Sequence, residues 1–319
     1  MSRLLDRVRD RVVVVGYLAG WRLVRLLPER TAYALGDLVA RVLVRRGGRG
    51  VRRLRDNLAR ALPQADAQEL RRWTARGVES YLRYWVDAFR LPDWDEQRVV
   101  GTIRTEGDAA VREALAQGRG VVGALAHLGN WDHAGAWSHH RLATVTTVAE
   151  RLRPEAVLRR FLRFRTEIGI EILVHPHRDE PGPGGGPGVT EVLQERLRAG
   201  GFVPLLADRD LSGRGVTVDL LGEPARVASG PAVLAGRTGS LLLAIGIVYE
   251  RAADSPSGWR TVVRFGEPFE VPDDSPEQVA AATQRLADGL GEQIRRDPAD
   301  WHMLQAVFVA DVGREPRPW

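Results

Sequence analysis

The 319-residue chain has no cysteine, no lysine and only two methionines. The first absence excludes disulfide frameworks, thiolate zinc sites and a cysteine nucleophile. The second makes all 46 basic residues arginine, a side chain charged at any working pH whose forked donors suit phosphate and carboxylate. Hence the pI is near 10.2 although the formal net charge is only +5. Long apolar runs are also missing. The longest charge-free stretches, Gly120 to Trp131 and Thr238 to Tyr249, have twelve residues each, where a spanning helix needs about 20. The N-terminus is basic and apolar, but Asp6 and Asp10 interrupt it and no small-residue cleavage site follows, so it is not read as a signal peptide.

The charge is unevenly placed. The first 60 residues hold 15 arginines and five acids, an asymmetry that points to an anionic partner surface. Leu4, Val8, Val12 and Val15 fall at helical spacing with Arg3, Arg7, Arg9 and Arg11 between them, and the apolar side continues through Tyr17, Leu18, Trp21, Val24 and Leu27. This is a basic amphipathic helix suited to a membrane interface. A helix packed on its own core with a solvated basic face is the plainer alternative. No finger, RNP or lysine-rich motif accompanies the charge, so no nucleic-acid partner is expected. Trp21, Trp301 and Trp319 are candidates for a lipid interface, with core burial or a loose terminus as the alternatives.

Residues 1–90 read as helical, with Pro28 ending the first helix, Thr31 as a cap of the second, Gly47-Gly48 as a break, and a further helix from Asp66 to Phe89. From about Val99 the grammar changes. Short β-branched or apolar runs (Val99–Arg104, Val121–Ala126, Ala143–Val148, Ile170–Val174, Phe202–Leu206, Val216–Leu220, Leu241–Tyr249, Thr261–Phe265) alternate with helical stretches. Glu277–Arg296 is a closing helix and Ala299–Val309 another. This predicts one α/β domain over 1–319: a mixed, mainly parallel central sheet flanked by helices in 99–319, and a helical membrane-associating part in 1–90. Pro181–Gly188 is a glycine-rich loop without the lysine of a P-loop.

Chemistry concentrates in Val121 to Asp132. A buried strand delivers His127 at its carboxyl end, where open α/β sheets place ligands. Gly129 turns the chain, and a helix starts near Asn130 to Asp132. An acid in that first helical turn can fold back on the imidazole, fix its tautomer and stabilise the imidazolium. A satisfied polar turn residue is the structural alternative for His127. Arg151, Arg153, Arg159, Arg160, Arg163 and Arg165 form a basic helix face for phosphates or for solvent. Arg209 and Arg214 are similar. Ser229 and Gly230 precede a helix, a phosphate or pantetheine site or simply a cap. His139-His140 and His175-Pro176-His177 lack the carboxylates that would complete a ligand set, so no metal is expected.

His127-Leu128-Gly129-Asn130-Trp131-Asp132 resembles the His-x4-Asp signature of glycerolipid-type acyltransferases, in the branch of lipid A and phosphatidylinositol mannoside acyltransferases. Ala149-Glu150-Arg151-Leu152, Ala207-Asp208-Arg209-Asp210-Leu211 and Gly222-Glu223-Pro224-Ala225-Arg226-Val227 fit in order, and the first two favour the mannoside members. The resemblance implies acyl transfer, usually palmitoyl, from acyl-CoA as co-substrate to the 6-hydroxyl of a mannose of phosphatidylinositol mannoside, with no cofactor, on the cytoplasmic face of the plasma membrane. His127 is then the base and Asp132 orients it or its helix. A second acid matches Asp208, where the family commonly has the longer glutamate. Glu150 and Arg165 match positions lining the acceptor side. The acyl chain needs an apolar groove, since each buried methylene is worth about 0.8 kcal/mol. Another lipid acceptor (lysophosphatidate or lipid A type), thioester hydrolysis, and a non-catalytic basic membrane-surface protein are the competing readings.

Overall fold

The computed structural model describes residues 2–149, 154–174, 188–210, 213 and 215–314, and for 2–13 the backbone only. Four helices come first: α1 (Ser2–Leu26), α2 (Glu29–Arg46), α3 (Arg49–Ala61) and α4 (Ala67–Arg90). Pro28 separates the first two, and α2 starts at Glu29 with no side-chain cap. Thr31 therefore lies inside the helix rather than capping it. Gly47 ends α2 in the left-handed region, giving its N–H to the Leu43 and Val44 carbonyls. Asp66 opens α4 with a capping box: its carboxylate accepts the Gln68 and Glu69 N–H groups, and Glu69 bonds back to the Asp66 N–H.

The α/β part follows as α5 (Glu96–Gly101), β1 (Ile103–Glu106), α6 (Ala109–Ala116), β2 (Val121–Leu125), α7 (Trp131–Arg141), β3 (Thr146–Ala149), α8 (Glu155–Glu167), β4 (Glu171–Val174), α9 (Val189–Arg198), β5 (Phe202–Leu206), β6 (Val216–Leu220), β7 (Glu223–Val227), α10 (Gly230–Thr238), β8 (Leu241–Arg251), β9 (Trp259–Phe265) and α11 (Pro276–Arg296). A five-stranded sheet has the order β1-β9-β8-β2-β5. It is parallel except for the β8–β9 pair, the mixed and mainly parallel sheet expected. β3 and β4 form a parallel pair. β6 and β7 form a hairpin.

Alternation along the sheet strands sorts the core into two layers. Val122, Ala124, Val203, Leu242 and Ala244 face a cluster with α9, α10 and α11. Val121, Leu125, Phe202, Leu243 and Ile245 face another with α4, α6, α7 and α8. The end of α1 joins this second cluster. Trp21 is 2% exposed, stacks on Phe89 at 4.8 Å and donates its indole N–H to the Phe89 carbonyl. Among the described residues no helix is long and apolar enough to cross a membrane.

Three segments differ from the sequence expectation. Val99-Val100 belong to α5, because the Asp95 side chain accepts the Arg98 N–H at 2.8 Å and caps a helix there; the strand begins only at Ile103. Glu223–Val227 is a strand, paired to β6 through Leu221 and Gly222 at positive φ. Most of Ala299–Val309 is not helical. Its carbonyls are taken across the fold instead: Asn57 Nδ2 donates to Met303 O and Gln305 O, and Phe308 bridges to Ala225.

The turn after β2 depends on Gly129, which sits at φ +54°. A Cβ there would run into the Ile247 carbonyl. Gly129→Ala should destabilise the chain by about 2 kcal/mol or more, from left-handed strain plus the clash. Urea unfolding of variant against wild type checks this.

Candidate active site

β2 and β5 are parallel neighbours, with Leu125 opposite Leu206. Two residues further along each strand direction stand His127 and Asp208. Strands lie about 4.8 Å apart, so the register alone brings the two side chains together. The Ala207 N–H donates to Leu125 O at 2.8 Å and carries the ladder past the strand ends. The chain then turns at His127, where the Leu128 N–H closes on Ala126 O at 2.7 Å.

Asp208 Oδ1 lies 2.7 Å from His127 Nδ1, and Oδ2 accepts the His127 backbone N–H at 2.9 Å. The shorter aspartate reaches because it starts from an in-register neighbour. Burial alone pushes its carboxyl up, but the adjacent His127, its ring and backbone hydrogen bonds and the Trp301 indole bring it below the ordinary carboxylate value. A carboxylate at Nδ1 favours the tautomer with the proton on that nitrogen, and Nε2 lies outside the pair. The His127 side chain is 28% exposed against 0% for Asp208, so one side of the pair meets solvent and the other does not. This geometry suits a general base.

Asp132 is placed differently from the folded-back acid expected. It is fully buried, accepts the Tyr84 O–H at 2.9 Å and pairs with Arg165 Nε at 2.9 Å. Asp208 holds the ring in its stead. Asp132 still ties the first turn of α7 to α4 and α8, because a buried carboxylate must be paired. Burial and the Asp132 charge push the Tyr84 phenol well up, which keeps it a donor. Arg165 also covers the Trp131 ring, 4.2 Å from its centroid. Asn130 caps α7 by accepting the His133 N–H at 2.9 Å.

The remaining candidates spread out. Glu150, Arg151, Arg153, Arg214, His175, His177, Trp319 and Pro181 to Pro187 lie outside the described residues. On α8, Arg159 and Arg163 are exposed, while Arg160 covers Trp21 at 4.6 Å, so the expected basic face is split between solvent and packing. Arg209 follows Asp208 with its Nε buried and without a hydrogen-bond partner among the described residues. Ala228 donates to Ala207 O at 3.2 Å, so Ser229 and Gly230 open α10 beside the end of β5. The Ser229 side chain makes no cap bond. His133 is a structural histidine bonded to Thr261 and Val99, and His139 bonds Thr144. Trp21 and Trp301 are buried rather than interfacial.

Sequence reasoning missed Tyr84 and the segment Asp300 to His302. The latter pairs with the His127 turn: Gly129 N–H donates to Asp300 O at 3.0 Å and His302 N–H to His127 O at 2.8 Å. Beneath α7 an apolar cleft runs along the sheet, lined among others by Leu125, Trp131, Trp137, Phe202, Ile247 and Phe265. Leu125 and Trp131 flank the His127 turn at one end.

The model of the bacterial lipid A biosynthesis acyltransferase family matches residues 6–309. A protein of Mycolicibacterium smegmatis named phosphatidylinositol mannoside acyltransferase is 40% identical over 307 residues, 96% of this chain and 95% of the relative. One of the same name from Mycobacterium tuberculosis is 42% identical over 303 residues, covering 94% and 90%.

His302 is fully buried against Ser80, and burial, with the Arg83 and His127 charges, pushes it down to about 3. A histidine lowered on folding contributes stability that is complete above its unfolded value, about 6.5, and is lost as pH falls. The destabilisation caused by His302→Gln should therefore shrink by about 2 kcal/mol between pH 7 and pH 5. Urea midpoints at the two pH values measure it.

Proposed function

The chain belongs to the bacterial lipid A biosynthesis acyltransferase family, and from that premise we propose that it transfers a fatty acyl group, palmitoyl in the first instance, from acyl-CoA to the 6-hydroxyl of a mannose of phosphatidylinositol mannoside. The observation that carries the mechanism is the 2.7 Å pair between His127 Nδ1 and the buried Asp208 at the solvent-reached end of β2. The acceptor is supported by relatives named for it at 40–42% identity over nearly the whole chain.

The thioester donor needs no protein nucleophile. His127 Nε2 takes the hydroxyl proton as the sugar oxygen attacks the thioester carbonyl. Asp208 stabilises the imidazolium that forms. The tetrahedral intermediate collapses with loss of the CoA thiolate, which recovers the proton from Nε2. Such a base is worth on the order of 10²–10⁴ in rate. Asp132 acts at one remove, by holding α7 and Arg165. Arg209, whose buried Nε has no hydrogen-bond partner among the described residues, and the start of α10 at Ser229 and Gly230 are suited to phosphate or pantetheine of CoA. Arg165 and Glu150 belong to the acceptor side by resemblance. The cleft beneath α7, with its apolar lining beside the His127 turn, takes the acyl chain.

Peripheral membrane binding at the cytoplasmic face completes the reading. Val15, Leu18, Leu23 and Leu26 of α1 and Leu38, Val39, Val42 and Leu43 of α2 are exposed, next to exposed Arg22, Arg41, Arg45 and Arg46. Apolar side chains beside fixed cations fit an anionic lipid surface.

Labelled palmitate transfer from palmitoyl-CoA to phosphatidylinositol mannoside tests the whole. His127→Ala should lose about 10²–10⁴-fold in kcat, and Asp208→Asn a comparable factor. Equal activity in His127→Ala overturns the mechanism, whereas acylation of lysophosphatidate alone keeps the mechanism and moves the acceptor. Ala134→Leu, which narrows the cleft, should lower kcat/KM for palmitoyl-CoA about 10-fold more than for octanoyl-CoA. A uniform loss would mean that the chain lies elsewhere.

A further inference from the structure

The Asp208 carboxylate has one partner more than the orientation of His127 requires. Its Oδ2, already bonded to the His127 backbone, also accepts the indole N–H of Trp301 at 2.9 Å. Trp301 is completely buried, and no sequence motif points to it. Its main chain is engaged at the same place: Trp301 bridges Leu128 in antiparallel fashion, with the Asp300 and His302 bonds to Gly129 and His127 on either side. One short segment thus grips the turn through the backbone and the acid through a side chain.

A carboxylate can rotate about its terminal bond, a soft, roughly two-fold torsion. The backbone N–H of His127 restrains one oxygen from the same side as the ring. The indole restrains that same oxygen from a segment 93 residues away in sequence. A hydrogen bond to a charged oxygen is stronger than one between neutral groups, and in a dry site it is hard to replace. Packing alone would be served by any large apolar residue; the aim of the N–H at Oδ2 is what sets tryptophan apart.

We propose that Trp301 is a positioning residue for His127: its indole N–H locks the Asp208 carboxylate in the plane that presents Oδ1 to Nδ1, and so holds the imidazole in the tautomer whose Nε2 carries the lone pair. The kinetic consequence rests on the acyltransferase reading above, whereas the tautomer consequence does not.

The test compares full-length wild type with Trp301→Phe, which keeps an aromatic ring and removes the donor. Transfer from palmitoyl-CoA to phosphatidylinositol mannoside should show kcat lowered about 10- to 100-fold, with the KM for palmitoyl-CoA changed less than about two-fold. Nitrogen-15 NMR of histidine-labelled protein should show His127 as the Nδ1–H tautomer in wild type and as a mixture in Trp301→Phe. Should Trp301→Phe fail to fold, the Trp301 indole proton in wild type reports instead, and it should move upfield in Asp208→Asn. An unchanged tautomer with kcat within about two-fold of wild type overturns the proposal, as does an indole proton indifferent to Asp208→Asn. A wild type that transfers no acyl group while Trp301→Phe still mixes the tautomers leaves the role of Trp301 standing and removes the acyltransferase reading.

Discussion

His127 and Asp208 meet because two parallel strands run out in register, and much of the surrounding structure serves to hold that junction. Four buried carboxylates surround the turn that follows β2. Asp208 takes His127 and Trp301. Asp132 takes Tyr84 and Arg165. Asp87 takes Tyr33 and, at 2.8 Å, Tyr249, with Asn130 at 3.4 Å. Asp300 takes Ser80 and the Tyr249 N–H. Burying an acid costs several kcal/mol unless its oxygens are satisfied. Each of these is, and the donors come from α2, α4, α8, β8, the turn between β2 and α7, and Trp301. The penalty for any misplacement is what gives the turn a single geometry. The acids differ in outcome. Burial raises Asp87, and raises Asp300 to about 6, despite their hydrogen bonds, whereas Asp208 is lowered because a histidine faces it. Of these three, the acid beside His127 is the one whose carboxyl is lowered.

The sequence carried most strands and helices of the α/β core to within a few residues, since each has its own periodicity and breakers, but not β7 or the mostly non-helical Ala299–Val309. It also carried His127, because a polar residue after Val121 to Ala126 has to sit at a strand end. It could not carry the partner. An acid five residues away and an acid 81 residues away are equally plausible until the strand order puts β5 beside β2. Residue spacing favoured Asp132, and only the resemblance pointed to Asp208. Trp301 was out of reach for a related reason. Ala299 to Val309 has helical composition, yet its backbone groups find partners on Asn57, His127 and Ala225, and tertiary hydrogen bonds outweigh a weak local preference.

The arginine-only composition shows how a single bulk number can mislead. A pI near 10.2 suggests a surface covered with free cations. Many of these arginines instead lie on aromatic rings: Arg83 and Arg251 on Trp259, Arg98 on Trp94, Arg160 on Trp21, Arg165 on Trp131 and Arg285 on Phe269. A planar, weakly hydrated guanidinium can be stacked and partly dried at small cost, which a lysine ammonium cannot. With nine tryptophans in the chain, arginine is as much a packing residue here as a charge. Among the exposed arginines, Arg22, Arg41, Arg45 and Arg46 stand beside exposed leucines and valines of α1 and α2. Attraction to an anionic surface then comes from a few cations acting together with apolar contact, and salt screens only the first of these. Several of the stacked arginines, among them Arg98, Arg160 and Arg165, keep their charge at half-buried positions. The pairing of Arg165 with Asp132 fixes the helix that starts four residues after His127.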